Sequence, residues 1–296
     1  MKILELFSGY GTSSFALKRL NIPYELVEYS DIDKNANEFF KENHCASDEN
    51  NKLRLGDVRL INPEDLEDFD LLTGGFPCQD FSIAGKQLGE LGPRGTLFYE
   101  IIRIAEIKRP RYMLLENVKG LTHKKFKGTF DKILSELDRI GYNVYWKVLN
   151  SKDYGTPQSR NRLWFVCFRK DIDKKDFNFP DAVELKIFLK DLLDDLPFRE
   201  IPRFQFGKYG DRDRLLKLKT TNDLCFHTLT TKRTHADQYL LNPERTMCRN
   251  FTKKESFRLM GFKDEELSLS DNQSHRLAGN GQDINVVTKL LSQMLK

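Results

Sequence analysis

Across the first 170 residues, segments of strand character alternate with segments of helical character, and that alternation admits few architectures. Residues 2–7, 24–29, 52–55, 70–73, 112–115, 142–149 and 163–168 read as strands. Residues 13–20, 33–42, 97–108 and 130–140 read as helices. The last is the clearest, with Phe130, Ile133, Leu134, Leu137 and Ile140 at helical spacing and Gly141 as a stop signal. The pattern predicts an α/β fold whose mostly parallel sheet is covered on both faces. Sheets of this kind bind ligands at the carboxyl ends of their strands. From 197 to 252 the alternation fails. Prolines, aromatics, basic residues and short β-like runs predict a small domain of mainly β or irregular structure. Residues 251–262 then read as a helix and 284–295 as an amphipathic one. The expected organisation is 1–196, 197–252, and a hinge with a C-terminal helix over 253–296 that returns to the first domain.

The segments that follow the predicted strands carry the chemistry. Gly74-Gly75-Phe76-Pro77-Cys78-Gln79 sets a cysteine on a Gly/Pro-shaped turn. Most unpaired cysteines are small buried hydrophobes, but a turn leaving a strand end presents a thiol outward, where its thiolate can act as a nucleophile. Phe7-Ser8-Gly9-Tyr10-Gly11 joins the first strand to the first helix; its glycines let a ligand approach, and the helix start offers free N–H groups. Asp31 follows the second strand and reads either as a ribose-binding carboxylate or as a helix N-cap. Asp57, after Gly56, reads as an adenine contact or a turn aspartate. Glu116 ends an apolar strand, where a carboxyl can have a raised pKa and give up a proton near neutrality, or serve as a structural acceptor. Arg160 and Arg162 alternate on a strand-like run, so both are expected on one side, for phosphate, a base carbonyl or surface carboxylates.

Composition narrows the class. Hydrophobic residues at 39% and charged residues at 31% suit a globular protein. The first residues are too soon charged for a signal peptide, and no stretch is apolar enough for a membrane helix, so we expect a cytoplasmic protein without membrane contact. The five cysteines form no CxxC pair and the five histidines are scattered, so neither disulfides nor a metal site is expected. The net charge of +4 is weak, but residues 199–233 hold nine basic side chains against four acidic ones, a candidate phosphate-contacting surface.

In this order, Gly75-Phe76-Pro77-Cys78-Gln79, Glu116-Asn117-Val118, Gln158-x-Arg160-x-Arg162, Arg249 to Glu255 and Gly279-Asn280 resemble the motifs of the DNA cytosine-C5 methyltransferases, especially the compact bacterial and phage restriction–modification type. The resemblance covers nearly the whole chain. It implies a Rossmann-like, S-adenosylmethionine-dependent catalytic domain with a small target-recognition domain. It also implies methyl transfer to C5 of a cytosine flipped out of duplex DNA, with S-adenosylhomocysteine as product. Cys78 would attack C6, Glu116 would hold N3 and the exocyclic amine, Arg162 would hold O2, and Arg160 would support the thiol or a nearby phosphate. The cofactor would meet Phe7, Ser8, Gly9, Gly11, Asp31, Ile32, Asp57, Val58, Pro77, Leu97 and Asn280. DNA would meet Gln79, Ser82, Lys86 and Arg94, the last two in a glycine-rich lid over 83–95, together with Arg212, Arg214, Thr228, Lys232 and Arg233. Double-stranded DNA is the implied partner, with a cognate restriction endonuclease as a second member of such systems; a monomer at the nucleoid is expected. Thr12, Ile32, Lys254 and Gly281 depart from residues usual in the family. A tRNA cytosine methyltransferase is an alternative, since Cys225-Phe226 echoes a Cys-Phe-Thr signature in which His227 replaces the threonine; a non-catalytic DNA-binding relative is another.

Overall fold

The computed structural model describes residues 1–45, 47–48, 52–77, 97–200, 218–233, 238–263 and 268–296. They divide into two compact units whose segments interleave along the chain. The first comprises Met1–Leu149, Asn161–Asp181 and Val287–Lys296; the second comprises Asn150–Arg160 and Ala182–Val286.

In the first unit the chain runs β1 (Lys2–Leu6), α1 (Thr12–Arg19), β2 (Glu25–Ser30), α2 (Lys34–His44), β3 (Leu71–Gly75), α3 (Leu97–Lys108), β4 (Tyr112–Val118), α4 (Lys127–Arg139) and β5 (Tyr142–Asn150). After the two-residue β6 (Gln158–Ser159) of the second unit comes β7 (Asn161–Arg169). The sheet order is β2-β1-β3-β4-β7-β5. β1 pairs in parallel with β2 and β3, and β3 with β4, whereas β7 runs antiparallel to β4. The mixed α/β fold with a mostly parallel sheet is as the alternation predicts.

Both faces of the sheet are covered, which explains the nearly continuous apolar strands. Leu4, Leu6, Leu72, Met113, Leu115, Leu163, Phe165 and Cys167 share one core with Ile101 and Ile104 of α3 and Ile133 and Leu137 of α4. Each such side chain contributes roughly 1.5–3 kcal/mol through burial. Elsewhere Tyr29 of β2 stacks on Phe40 of α2 with ring centroids 4.1 Å apart. Gly141 stops α4 in the left-handed region at φ 93°.

Residues 52–55 do not form the expected strand. Asp48 takes the amides of Lys52 and Leu53, and Gly56 turns the chain at φ 71°, so only the Tyr29–Arg54 bridge remains. The expected helix over 251–262 shortens to α5 (Lys253–Arg258), started by the Thr252 cap and ended by Gly261 at φ 81°. α6 (Asp271–Asn280) was not expected from the sequence. α7 (Ile284–Met294) agrees with the amphipathic pattern.

The second unit is irregular, with short strands at Arg199–Glu200, Leu240–Leu241 and Met247–Arg249 forming one small antiparallel sheet. Its anchor is a buried pair in which both Arg249 terminal nitrogens donate to Glu255 at 2.7 Å. Glu255, fully buried, also accepts the amides of Asp194 and Thr252 at 2.7 and 2.9 Å. A carboxylate shielded from water needs that many donors. The division at 181/182 falls before the boundary expected at 196/197, and residues 150–160 join the second unit because Gln158 and Arg160 bond its main chain.

Candidate active site

β1 ends at Leu6 and the chain turns at once. Phe7 adopts φ 51°, a region rarely occupied by a non-glycine residue, and Gly9 and Gly11 follow at 54° and 79°. Ser8 N–H donates to the Ser30 carbonyl at 3.0 Å, and Gly11 N–H to the Ser8 carbonyl at 2.8 Å. Asp31 ties the loop to β2: one carboxylate oxygen accepts Gly9 N–H at 2.9 Å and the other Asp33 N–H at 2.8 Å. Burial raises its pKa against these hydrogen bonds. The cap of α2 is Asp33, which accepts the amides of Asn35 and Ala36, so Asp31 is not the N-cap.

Three features of this loop fit the cofactor that the motifs imply. Ser8 Oγ is buried and has no hydrogen-bond partner among the described residues. A Cβ on Gly9 would have no heavy atom within 4 Å. Ile32, beside Asp31, is 76% exposed. An orphaned hydroxyl, open space over small residues and a bare apolar surface suit a ligand with a polar end and a flat ring.

Asp57 caps the short turn Val58–Leu60, and both its carboxylate oxygens receive Arg59 Nε, at 3.0 and 3.1 Å. That hydrogen bonding holds the Asp57 pKa below its ordinary value. Val58 is buried in the core, while Leu97 opens α3.

The free amides expected at the start of α1 are partly taken. Glu5 of β1, 3% exposed, accepts Ser14 N–H at 3.0 Å and the Ser14 hydroxyl. Burial pushes its pKa up to about 7, with the Ser14 hydrogen bonds opposing. Sequence reasoning passed over Glu5. Its signal is an acidic residue inside the otherwise apolar Ile3-Leu4-Glu5-Leu6.

The carboxyl edge of the sheet brings further candidates together. In the register Leu6 faces Ser30 and Gly74, and Gly75 faces Glu116. Glu116 is 8% exposed and accepts Arg162 Nε of β7 at 2.8 Å. Asn117 donates its side-chain amide to the Phe76 carbonyl at 3.2 Å, and the Phe76 ring packs 5.4 Å from Phe98 of α3. The chain is therefore fixed at Phe76-Pro77, immediately before Cys78. Cys78, Gln79, Ser82, Lys86, Arg94 and the lid over 83–95 lie outside the described residues, as do Arg212 and Arg214.

Arg160 belongs to the second unit and is 1% exposed. Its guanidinium donates to the carbonyls of Leu229, Gly279 and Gly281 at 3.2, 3.1 and 2.6 Å. Gln158 accepts Leu229 N–H at 3.0 Å and donates to the Leu259 carbonyl. Thr228 donates its hydroxyl to Ser159 at 2.9 Å. Arg233 spans the Phe251 carbonyl and the Asp271 carboxylate at 2.6 and 3.1 Å, whereas Lys232 is exposed. Asn280 ends α6 on the surface. A Cβ on Gly279 would lie 2.5 Å from the Thr230 carbonyl oxygen, a backbone contact that only glycine permits.

The family model for C-5 cytosine-specific DNA methylase matches residues 1–296. Type II methyltransferase M.HhaI of Haemophilus parahaemolyticus is 38% identical over 201 residues, 68% of this chain and 58% of that protein, so the match spans under two thirds of its length. M.NgoBI of Neisseria gonorrhoeae, another Type II methyltransferase, is 33% identical over 303 residues, 97% of this chain and 90% of that one. The structure of the S. pombe Dnmt2 methyltransferase superposes with a TM-score of 0.78 at 25% identity, covering 100% of this chain and 98% of the other. The chain belongs to the C-5 cytosine-specific DNA methylase family.

Proposed function

We propose that this chain methylates C5 of a cytosine flipped out of a specific duplex DNA sequence, through a transient bond between Cys78 and C6. The observation that supports it most is the edge row in which Glu116 faces Gly75, is fixed by Arg162 and adjoins the chain leading into Cys78.

Cytosine C5 is too electron-poor to attack a methyl donor unaided. The Cys78 thiolate forms the Sγ–C6 bond, and the displaced electron pair is drawn toward N3, where Glu116 hydrogen-bonds or delivers a proton. Arg162 orients the Glu116 carboxyl and meets O2. Ser8, Gly9, Asp31 and Ile32 would hold S-adenosylmethionine, which when bound would supply an electrophilic methyl group: the C5–CH3 bond would form as the S–CH3 bond breaks, leaving S-adenosylhomocysteine. A base then removes the C5 proton, the electron pair returns, and the Sγ–C6 bond breaks. The target must leave the base stack for any of this. On this reading the partner is double-stranded DNA, and the protein works as a monomer in the cytoplasm beside the nucleoid, with a cognate endonuclease where one accompanies it.

The test offers labelled S-adenosylmethionine with duplex DNA and with tRNA, followed by bisulfite sequencing of the DNA. We expect label in DNA at C5 of cytosines sharing flanking bases, and none with Cys78→Ala, which still binds duplex. Label on tRNA alone, or substantial methylation by Cys78→Ala, overturns the reading.

A further inference from the structure

β4 does not end in a neutral loop. Between Asn117 and Phe130 the chain carries Lys119, Lys124, Lys125 and Lys127 with no acidic residue. Lys119, Lys124, Lys125, Lys127 and His123 are all exposed. Lys127 is paired with Asp131 of its own helix, whereas Lys119 and Lys124 meet no carboxylate among the described residues. Lys125 lies over the Phe126 ring, its Nζ 5.5 Å from the centroid.

The segment has a fixed backbone. It folds as two short turns, Lys119–Thr122 and Lys124–Phe126, before α4 begins. Leu121, fully buried, and Phe126, 8% exposed, pin the turns to the core. The Thr122 hydroxyl donates to the Lys119 carbonyl at 2.9 Å, and Phe126 N–H to His123 at 2.8 Å. The lysines are thus displayed on an anchored scaffold.

Lys124 and Lys125 precede α4 and Lys127 opens it; the first turn of that helix has no acidic residue, so these cations lie beside the positive end of the helix dipole. Among the described residues no carboxylate compensates Lys119 and Lys124, and an external anion would. The same strand holds Glu116 three residues before Lys119. With a net charge of only +4, attraction to a polyanion must come from such local clusters.

We propose that the exposed lysines of 119–127, Lys124 and Lys125 foremost, form a sequence-independent contact with backbone phosphates of the duplex whose cytosine is methylated. The inference rests on the DNA-methylating reading above and adds a contact surface in the first unit to the recognition segment.

The test is Lys124→Ala/Lys125→Ala in the full chain, with Lys124→Arg/Lys125→Arg as the charge-preserving control. Duplex affinity is measured across salt concentrations, beside S-adenosylmethionine binding and single-turnover transfer at saturating duplex. We expect the alanine pair to weaken target and non-target duplexes alike, roughly tenfold at low salt, and to reduce the salt slope by about 1–2. Cofactor binding and saturated single-turnover transfer should stay unchanged, and the arginine pair should behave as wild type. An alanine pair that keeps cofactor binding, affinity and salt slope sinks the phosphate surface while wild-type methylation leaves the function standing. A loss confined to the target duplex overturns it as well, assigning these lysines to recognition. A wild-type chain that neither binds nor methylates duplex removes the function itself, and this surface with it.

Discussion

Gly9 and Gly11 sit two residues apart in one turn, both at positive φ, yet the space around them differs. A Cβ on Gly11 would lie 2.4 Å from His44 Nε2 and 2.8 Å from Phe40 Cε2. His44 cannot easily give way, since it lies 3.1 Å from the Tyr10 carbonyl and between the Phe15 and Phe40 rings, at 4.4 and 4.7 Å. Gly11→Ala should therefore cost about 1–3 kcal/mol of stability and weaken cofactor binding only as a consequence. Gly9→Ala meets no atom of the described residues within 4 Å beyond its chain neighbours and carries mainly the roughly 1–2 kcal/mol backbone strain of a left-handed residue. Its methyl would enter open space where the cofactor is proposed to bind, so it should raise the S-adenosylmethionine Kd more than Gly11→Ala for a smaller loss of Tm. Thermal melts paired with cofactor titrations check this; the reverse ranking would place the cofactor elsewhere. The sequence pattern located this loop because glycines after a strand are a local signal. It did not disclose Glu5, since nothing local tells that a strand acid will reach the amide of Ser14.

At the scale of elements, strands and long helices were legible wherever apolar residues recur with a period. α6 escaped because its buried residues include Ser274, His275 and Gly279 beside only Leu277 and Ala278, too few to leave an apolar stripe. Its usable signal was Ser270 three residues before Gln273, a reciprocal capping box. The arginines show a subtler limit. Alternation suggested that Arg160 and Arg162 share a side, but Arg160 falls between β6 and β7, where the strand is interrupted. Arg160 holds three carbonyls of the second unit, while Arg162 holds Glu116 of the first. Arg160→Lys forfeits the planar fork and strands buried carbonyls, which should cost about 2–4 kcal/mol and lower activity in step with the folded fraction. Arg162→Lys keeps the charge at a partly exposed site, so Tm should shift little. Misorientation of Glu116 should still slow single-turnover transfer about a hundredfold. An Arg160→Lys enzyme with wild-type Tm and no transfer would instead make Arg160 a group that touches the substrate.

At the scale of the whole molecule, sequence order conceals which residues fold together. The unit boundary crosses the chain four times, the last inside α7, because hydrogen bonds and packing across long separations leave no periodic trace. Stability against pH is likewise a property of the assembled fold, and buried ionisable groups pull it in opposite directions. Burial lowers the pKa of His44 to about 3 and of His275 to about 4, so the folded state holds these rings neutral. Their contribution is full above the ordinary histidine pKa near 6.5 and is lost as pH falls toward 3–4. Glu5, raised to about 7, and Asp283, raised to about 6, act the other way. Their folded forms bind the proton more tightly than the unfolded chain, so the stabilisation is present below about 4 and is lost as pH climbs through 6–7. Glu5→Gln isolates one of these groups, because glutamine keeps an acceptor for Ser14 and cannot titrate. Relative to wild type, the variant should gain stability between about pH 4.5 and 7, by up to on the order of 3 kcal/mol, with no further change above or below that window. Urea melts at half-unit pH intervals measure the difference directly, and a gap that stays constant from pH 4.5 to 7 would mean that Glu5 ionises in the fold as it does in the unfolded chain.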